Sequence, residues 1–139
     1  MSNNAFEHYL EAEVLSADPV KLVSLLYRGA LEATGAARRH LAKGAIVDRS
    51  RQINRAWEIV QELSTSLDHA NGGKLSSGLA DLYHYIQVRL LEANAQQVDG
   101  PLAEVEALLT TLAGAWREIQ PKAAAVPPPA DYVPVACNA

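Results

Sequence analysis

The chain is poor in the features that announce most chemistries. It has a single cysteine, Cys137, so it can form neither an internal disulfide nor a multi-cysteine metal site. It has no excess of positive charge. Twelve Lys and Arg face sixteen Asp and Glu, a net charge of −4, which argues against simple electrostatic attachment to nucleic acid or an anionic membrane. No apolar run approaches the roughly 18 residues of a membrane-spanning helix, so no membrane insertion is expected. The opening MSNNAFEHYLEAEVL carries glutamates where a secretory signal would carry basic residues and then an apolar run, so the expected compartment is the cytosol. Glu-x-x-His, the pair that a di-iron bundle repeats, does not occur, and Asp81 with His84 has no second pair to answer it. Asn71-Gly72-Gly73 lacks the Gly-Lys-Ser/Thr of a phosphate loop. No Ser/His/Asp arrangement can be argued for Ser24, Ser64 or Ser66. The expectation is a protein without catalysis, metal or cofactor.

What is present is helical. Of 139 residues, 49% are hydrophobic and 20% charged, enough for one folded domain. Four segments carry helical periodicity and none carries sustained strand alternation. The first spans about Pro19 to Lys43, with Asp18 placed to cap it, Pro19 suited to the first helical position and Gly44 suited to end it. The second spans about Asp48 to His69, with Asp48 as its cap and Asn71-Gly72-Gly73 as a stop and turn. The third runs from Leu75 or Ser76 to Ala95. The fourth follows Asp99-Gly100-Pro101 and ends at Pro121. Helices of about 20 residues, roughly 30 Å each, joined by short links predict an all-α, antiparallel, up-down-up-down four-helix bundle over residues 18–120. Residues 1–17 form a short N-terminal segment that docks through Phe6, Tyr9, Leu10 and Val14. Residues 121–139 hold five of the seven prolines and read as a disordered tail.

The apolar faces are uneven. The second helix carries one stripe, Ile53, Ala56, Trp57, Val60, Leu63 and Leu67, and the fourth carries Leu102, Val105, Leu109, Leu112, Trp116 and Ile119. Both tryptophans are expected in the core. The first helix has a core stripe of Leu22, Leu26, Ala30, Ala33 and Ala37, and a second line of Val20, Tyr27 and Leu31 about 100° or more away. The third has Leu75, Leu79, Leu82, Ile86, Leu90 and Ala93 inside, with Tyr85, Val88 and Leu91 outside that stripe. Aligned apolar residues in surplus of a core point to a contact surface. The first and third helices are diagonal in the simplest bundle, so their surplus stripes suit a partner that wraps around. A homodimer whose stripes face each other is the other occupant. Gly29 and Gly35 inside a helix cost roughly 1 kcal/mol each relative to alanine and call for a close helix crossing or close approach of a bound chain.

His40-Leu41-Ala42-Lys43-Gly44 is similar to the His-x-x-Lys-Gly core of histidine phosphotransfer domains, which are also four-helix bundles. A solvated basic helix end explains the same residues, since cations favour a helix C-terminus.

Four stretches carry a second resemblance over about residues 6–116. They are Tyr9-x4-Val14-x3-Asp18-Pro19-x2-Leu22; Leu25-Leu26-Tyr27-Arg28-Gly29-Ala30-Leu31; Ala56-x2-Ile59-Val60-x2-Leu63-x3-Leu67-Asp68, followed by Gly72-Gly73; and Leu79-x2-Leu82-Tyr83-x-Tyr85-x3-Arg89-Leu90-x2-Ala93-Asn94. In this order and spacing the chain resembles the bacterial flagellar secretion chaperone family, FliS. Arg28 stands where that family commonly has an acidic residue, and Asp18-Pro19 replaces the usual Ser-Pro. The resemblance implies a four-helix chaperone without cofactor. It binds the disordered C-terminal segment of newly made flagellin, prevents premature polymerisation and delivers flagellin to a component of the type III export gate. The surplus stripes and the resemblance together give the expected contact residues for flagellin as Tyr9, Val20, Tyr27, Leu31, Tyr85, Val88, Leu91 and Asn94. Tyr83 is expected to pack. The segment around Tyr9 is implied to lie near the flagellin groove and to cover part of it in the free chaperone.

Overall fold

The computed structural model describes residues 19–125. Four helices follow one another: α1 (Pro19–Lys43), α2 (Ile46–Thr65), α3 (His69–Gln96) and α4 (Gly100–Ala125). No strand occurs among the described residues. α1 packs on α2 and α4, and α3 packs on α2 and α4, while the two diagonal pairs do not meet at the backbone. Cross-helix contacts run in opposite directions along α2 and α3, Arg49 to Asn94 with Gln87 to Gln61, and along α1 and α4, Arg38 to Glu106 with Trp116 to Val20. This is the antiparallel four-helix bundle the periodicity predicts.

The core comes from the expected stripes. Ile53, Leu63, Ile86, Leu90, Leu102 and Leu109 are among the fully buried side chains. Each contributes roughly 1.5–3 kcal/mol by burial, which outweighs the surface ion pairs at about 0–1 kcal/mol each. α1 buries Leu25, Leu26 and Tyr27 in its first half and the smaller Ala30, Ala33, Thr34 and Ala37 further on, so its neighbours come close along that second half. A Cβ on Gly29 would sit 3.2 Å from Ile59 Cδ1 on α2, and one on Gly35 would sit 3.4 Å from Glu106 Oε2 on α4. The two helical glycines are where α1 meets its two neighbours.

Four boundaries depart from expectation. α2 begins at Ile46, not Asp48. The chain turns early, with Gly44 in the left-handed region at φ 71° and the Ala45 amide donating to the His40 carbonyl at 2.9 Å. Ala45 takes the cap position without a side-chain bond, and Asp48 lies in the first turn, where its charge favours the helix dipole. α2 also ends at Thr65 rather than His69. Asp68 instead caps the next helix, accepting from the Asn71 amide at 3.2 Å. The expected Asn71-Gly72-Gly73 stop is a kink within α3: only Gly73 leaves helical geometry, at φ 51°, ψ −125°. α4 continues past Pro121 to Ala125. A proline withdraws one donor, and the Lys-Ala-Ala-Ala that follows has high helix propensity.

Two core assignments also change. Leu75 is 71% exposed and Ile119 is 54% exposed. Leu75 follows the kink by two residues. Ile119 lies a turn beyond Trp116, whose indole is already level with Val20 near the first described residue of α1. Trp57 and Trp116 are half-buried against the core rather than inside it. Asp18, the docked segment 1–17 and the tail from residue 126 lie outside the described residues.

Candidate functional site

The residues singled out by periodicity divide between two regions. On α1, Leu31 is half-buried and Val20 is 44% exposed, but Tyr27 is 4% exposed. Tyr27 is therefore a buried side chain, not a surface one. The small residues of α1 let it reach across the bundle, where its hydroxyl lies 2.6 Å from that of Tyr83 on the diagonal helix α3. Burial holds both phenols above their ordinary pKa. For Tyr27 the hydrogen bond to Tyr83 partly offsets that rise, while for Tyr83 the hydrogen bond to Tyr27 adds to it. Tyr83 packs, as expected.

The edge of Tyr27 still meets solvent through an open groove of about 410 Å³ between α1 and α4. Leu25, Tyr27, Leu31 and Trp116 give it apolar walls, and Arg28 and Arg117 stand at its margins. The Trp116 indole N–H donates to the Val20 carbonyl at 3.2 Å, which ties the groove's end together. Sequence reasoning missed Trp116 as a lining residue because its spacing matches the core stripe of α4. An amphipathic helix places the margin of its stripe at the surface, and Trp116 sits on that margin.

The second region is the outer face of α3. Tyr85, Val88 and Leu91 are exposed by 42%, 39% and 48%. Tyr85 leans toward α4, donating its hydroxyl to Glu104 at 2.8 Å, and Arg89 donates to the same carboxylate at 2.6 Å. These two bonds, Arg89 first, hold the Glu104 carboxyl below its ordinary value, and the carboxylate in turn raises Tyr85 and Arg89. Leu91 shares a line with Gln87 and Asn94 at i, i+4 and i+7, the side that faces α2. Asn94 is half-buried and occupied: its side-chain oxygen accepts from Arg49 Nε and Ser50 Oγ, both at 3.0 Å. It ties the end of α3 to the start of α2. Tyr9 lies outside the described residues.

His40 sits in the last turn of α1, where a cation favours the helix end. Among the described residues no group of three or more His, Cys, Asp or Glu could hold a metal ion, and no helix is long and apolar enough to cross a membrane. The arrangement is a helical bundle with an apolar-walled groove beside α1 and exposed apolar side chains on the diagonal helix α3.

Comparison with known proteins gives this shape a family. Residues 1–123 match the family model described as flagellar protein FliS. The chain is similar to the flagellar secretion chaperone FliS of Salmonella typhimurium, with 37% identity over 115 residues, covering 82% of this chain and 85% of that protein. It is 36% identical to the flagellar secretion chaperone FliSB of Pseudomonas aeruginosa over 77% of this chain and 85% of that one. Identity to FliS of Bacillus subtilis is 30%, over 83% and 85%. The chain belongs to the FliS family of flagellar secretion chaperones.

Proposed function

We propose that this protein is a cytosolic export chaperone for flagellin, acting by binding alone. It covers the C-terminal segment of flagellin, which is disordered before assembly, prevents premature polymerisation, and passes its client to a component of the flagellar export gate. The observation that carries this reading is the outward apolar surface on two diagonal helices, the groove beside α1 and the Tyr85–Val88–Leu91 face of α3. A client long enough to reach both must wrap the bundle, laying amphipathic pieces into one surface and then the other. Val20, Leu31 and the groove-facing edge of Tyr27 serve the first surface, and Tyr85, Val88, Leu91 and the neighbourhood of Asn94 the second. Tyr9 belongs to a segment that covers part of the groove until the client arrives. Buried apolar area supplies the affinity at roughly 25 cal/mol per Å², offset by about 2–5 kcal/mol or more for ordering the client.

Calorimetric titration with the C-terminal segment of flagellin from the same organism tests this. Submicromolar 1:1 binding with a negative heat-capacity change is expected. Val88→Asp and Leu91→Asp, at exposed positions, are expected to weaken binding without lowering thermal stability. Absence of binding both to the full chain and to a chain lacking residues 1–17 would overturn the proposal. Tyr27→Asp is not a usable probe, because it buries a charge.

A further inference from the structure

The two apolar surfaces differ in the sign of their charge. Three cations and one carboxylate line the α1–α4 groove, in a chain whose net charge is −4. Arg28 contributes from α1 and Arg117 from α4, and among the described residues neither makes an ion pair. Both are exposed. The α3 face is the reverse. Asp81, Glu92 and Glu104 surround it, and its one guanidinium, Arg89, is already engaged by Glu92 at 2.9 Å and Glu104 at 2.6 Å.

We infer that the α1–α4 groove is selective for an amphipathic helix of the client whose apolar face is flanked by carboxylates. The apolar side chains of such a helix meet Leu25, Tyr27, Leu31 and Trp116, and its flanking acids meet Arg28 on one margin and Arg117 on the other. Cationic margins attract that helix and repel a lysine-flanked one, and repulsion contributes to specificity as much as attraction does. The net negative α3 face makes the opposite demand. A wrapping client is thereby given a direction: its acidic piece lies beside α1 and the other piece beside α3. This inference rests on the chaperone reading above, and adds to it which client piece goes where.

The test uses the full chain and two synthetic amphipathic helices with one shared leucine face, flanked by glutamates in one and lysines in the other. Trp116 lines the groove and Trp57, on α2, does not, so a Trp57→Phe variant reports on the groove by Trp116 emission. The glutamate twin is expected to shift that emission and to bind about five- to tenfold tighter than the lysine twin, with the preference shrinking as salt rises. Arg28→Glu combined with Arg117→Glu is expected to invert the preference. The salt series on the unaltered arginines stands whether or not that variant folds. Equal binding of the twins, binding of neither, a preference indifferent to salt, or a preference surviving in a folded double variant would each overturn the inference. The flagellin segment is titrated in parallel. If it binds while the twins show no charge preference, the charge assignment falls and the chaperone reading stands. If it binds neither the full chain nor a chain lacking residues 1–17, the chaperone reading falls.

Discussion

The hydroxyl oxygens of Tyr27 and Tyr83 lie 2.6 Å apart in the interior, joining two diagonal helices whose backbones do not meet. Each supplies the other's partner, and both side chains are buried, with exposures of 4% and 2%. Deleting one hydroxyl leaves the other buried and unpaired, at a cost of about 1–3 kcal/mol. Tyr27→Phe and Tyr83→Phe are each expected to destabilise by that order, and the double variant by clearly less than the sum. Urea unfolding of the four proteins in a double-mutant cycle checks this; strict additivity would contradict it.

The same pair gives a response to alkali. Both phenols have folded pKa values above the ordinary 10.0, so the fold favours their neutral forms. That contribution is complete below pH 10 and is lost as pH rises beyond it toward the folded values. Stability should therefore fall above about pH 10, and the double phenylalanine variant should fall less steeply. Urea midpoints on either side of that pH decide the matter.

Glu104 gives the mirror response to acid. Its pKa is depressed, chiefly by Arg89 and then by Tyr85. Its contribution is present above the ordinary carboxyl value of 4.5 and fades as pH drops through the folded one. Glu104→Gln is expected to lower the melting temperature slightly at neutral pH, and the gap should close in acid. Since the site is exposed, added salt should also narrow it.

Gly29 is a matter of fit. A Cβ there meets Ile59 Cδ1 at 3.2 Å, so Gly29→Ala trades about 1 kcal/mol of helix propensity against crowding of about 1–3 kcal/mol. A net loss is expected. Ile59→Val removes the crowding atom, and the double variant should be more stable than the two single changes predict. Thermal unfolding of all four proteins tests the rescue.

The bundle was legible because its signals are local and repetitive. The first helix is bounded at its far end by a glycine, and the structure ends α1 at Lys43, just before Gly44. The α2 stripe from Ile53 to Leu63 is the core of that helix. Where reading failed, the deciding partner lay elsewhere in the chain. Tyr27 falls outside the central stripe of α1, and only the small alanines around it and a hydroxyl 56 residues away bring it inside. Leu75 and Ile119 have the right period, yet among the described residues nothing covers them and they stay exposed. Asp48 has the chemistry of a cap, yet Gly44 turns the chain before the helix would need it. Of the site, the exposed Tyr85, Val88 and Leu91 were readable from period alone. The groove beside α1 was not, since it exists only where α4 brings Trp116 and Arg117 alongside.

The bond from Trp116 to the Val20 carbonyl has a further meaning. It brings the last helix back to the first, so the four helices form a closed cycle in which each has two neighbours. Chain order and ring order are then separable. Opening the backbone at the exposed Gly44 and splicing residue 125 to residue 19 through a flexible glycine-serine stretch would leave every helix beside the same two partners. Such a circular permutant is expected to regain the helical signal and the cooperative melt of the parent. The interactions that define this bundle are those around its circumference, and the three short turns serve only to deliver the helices to it.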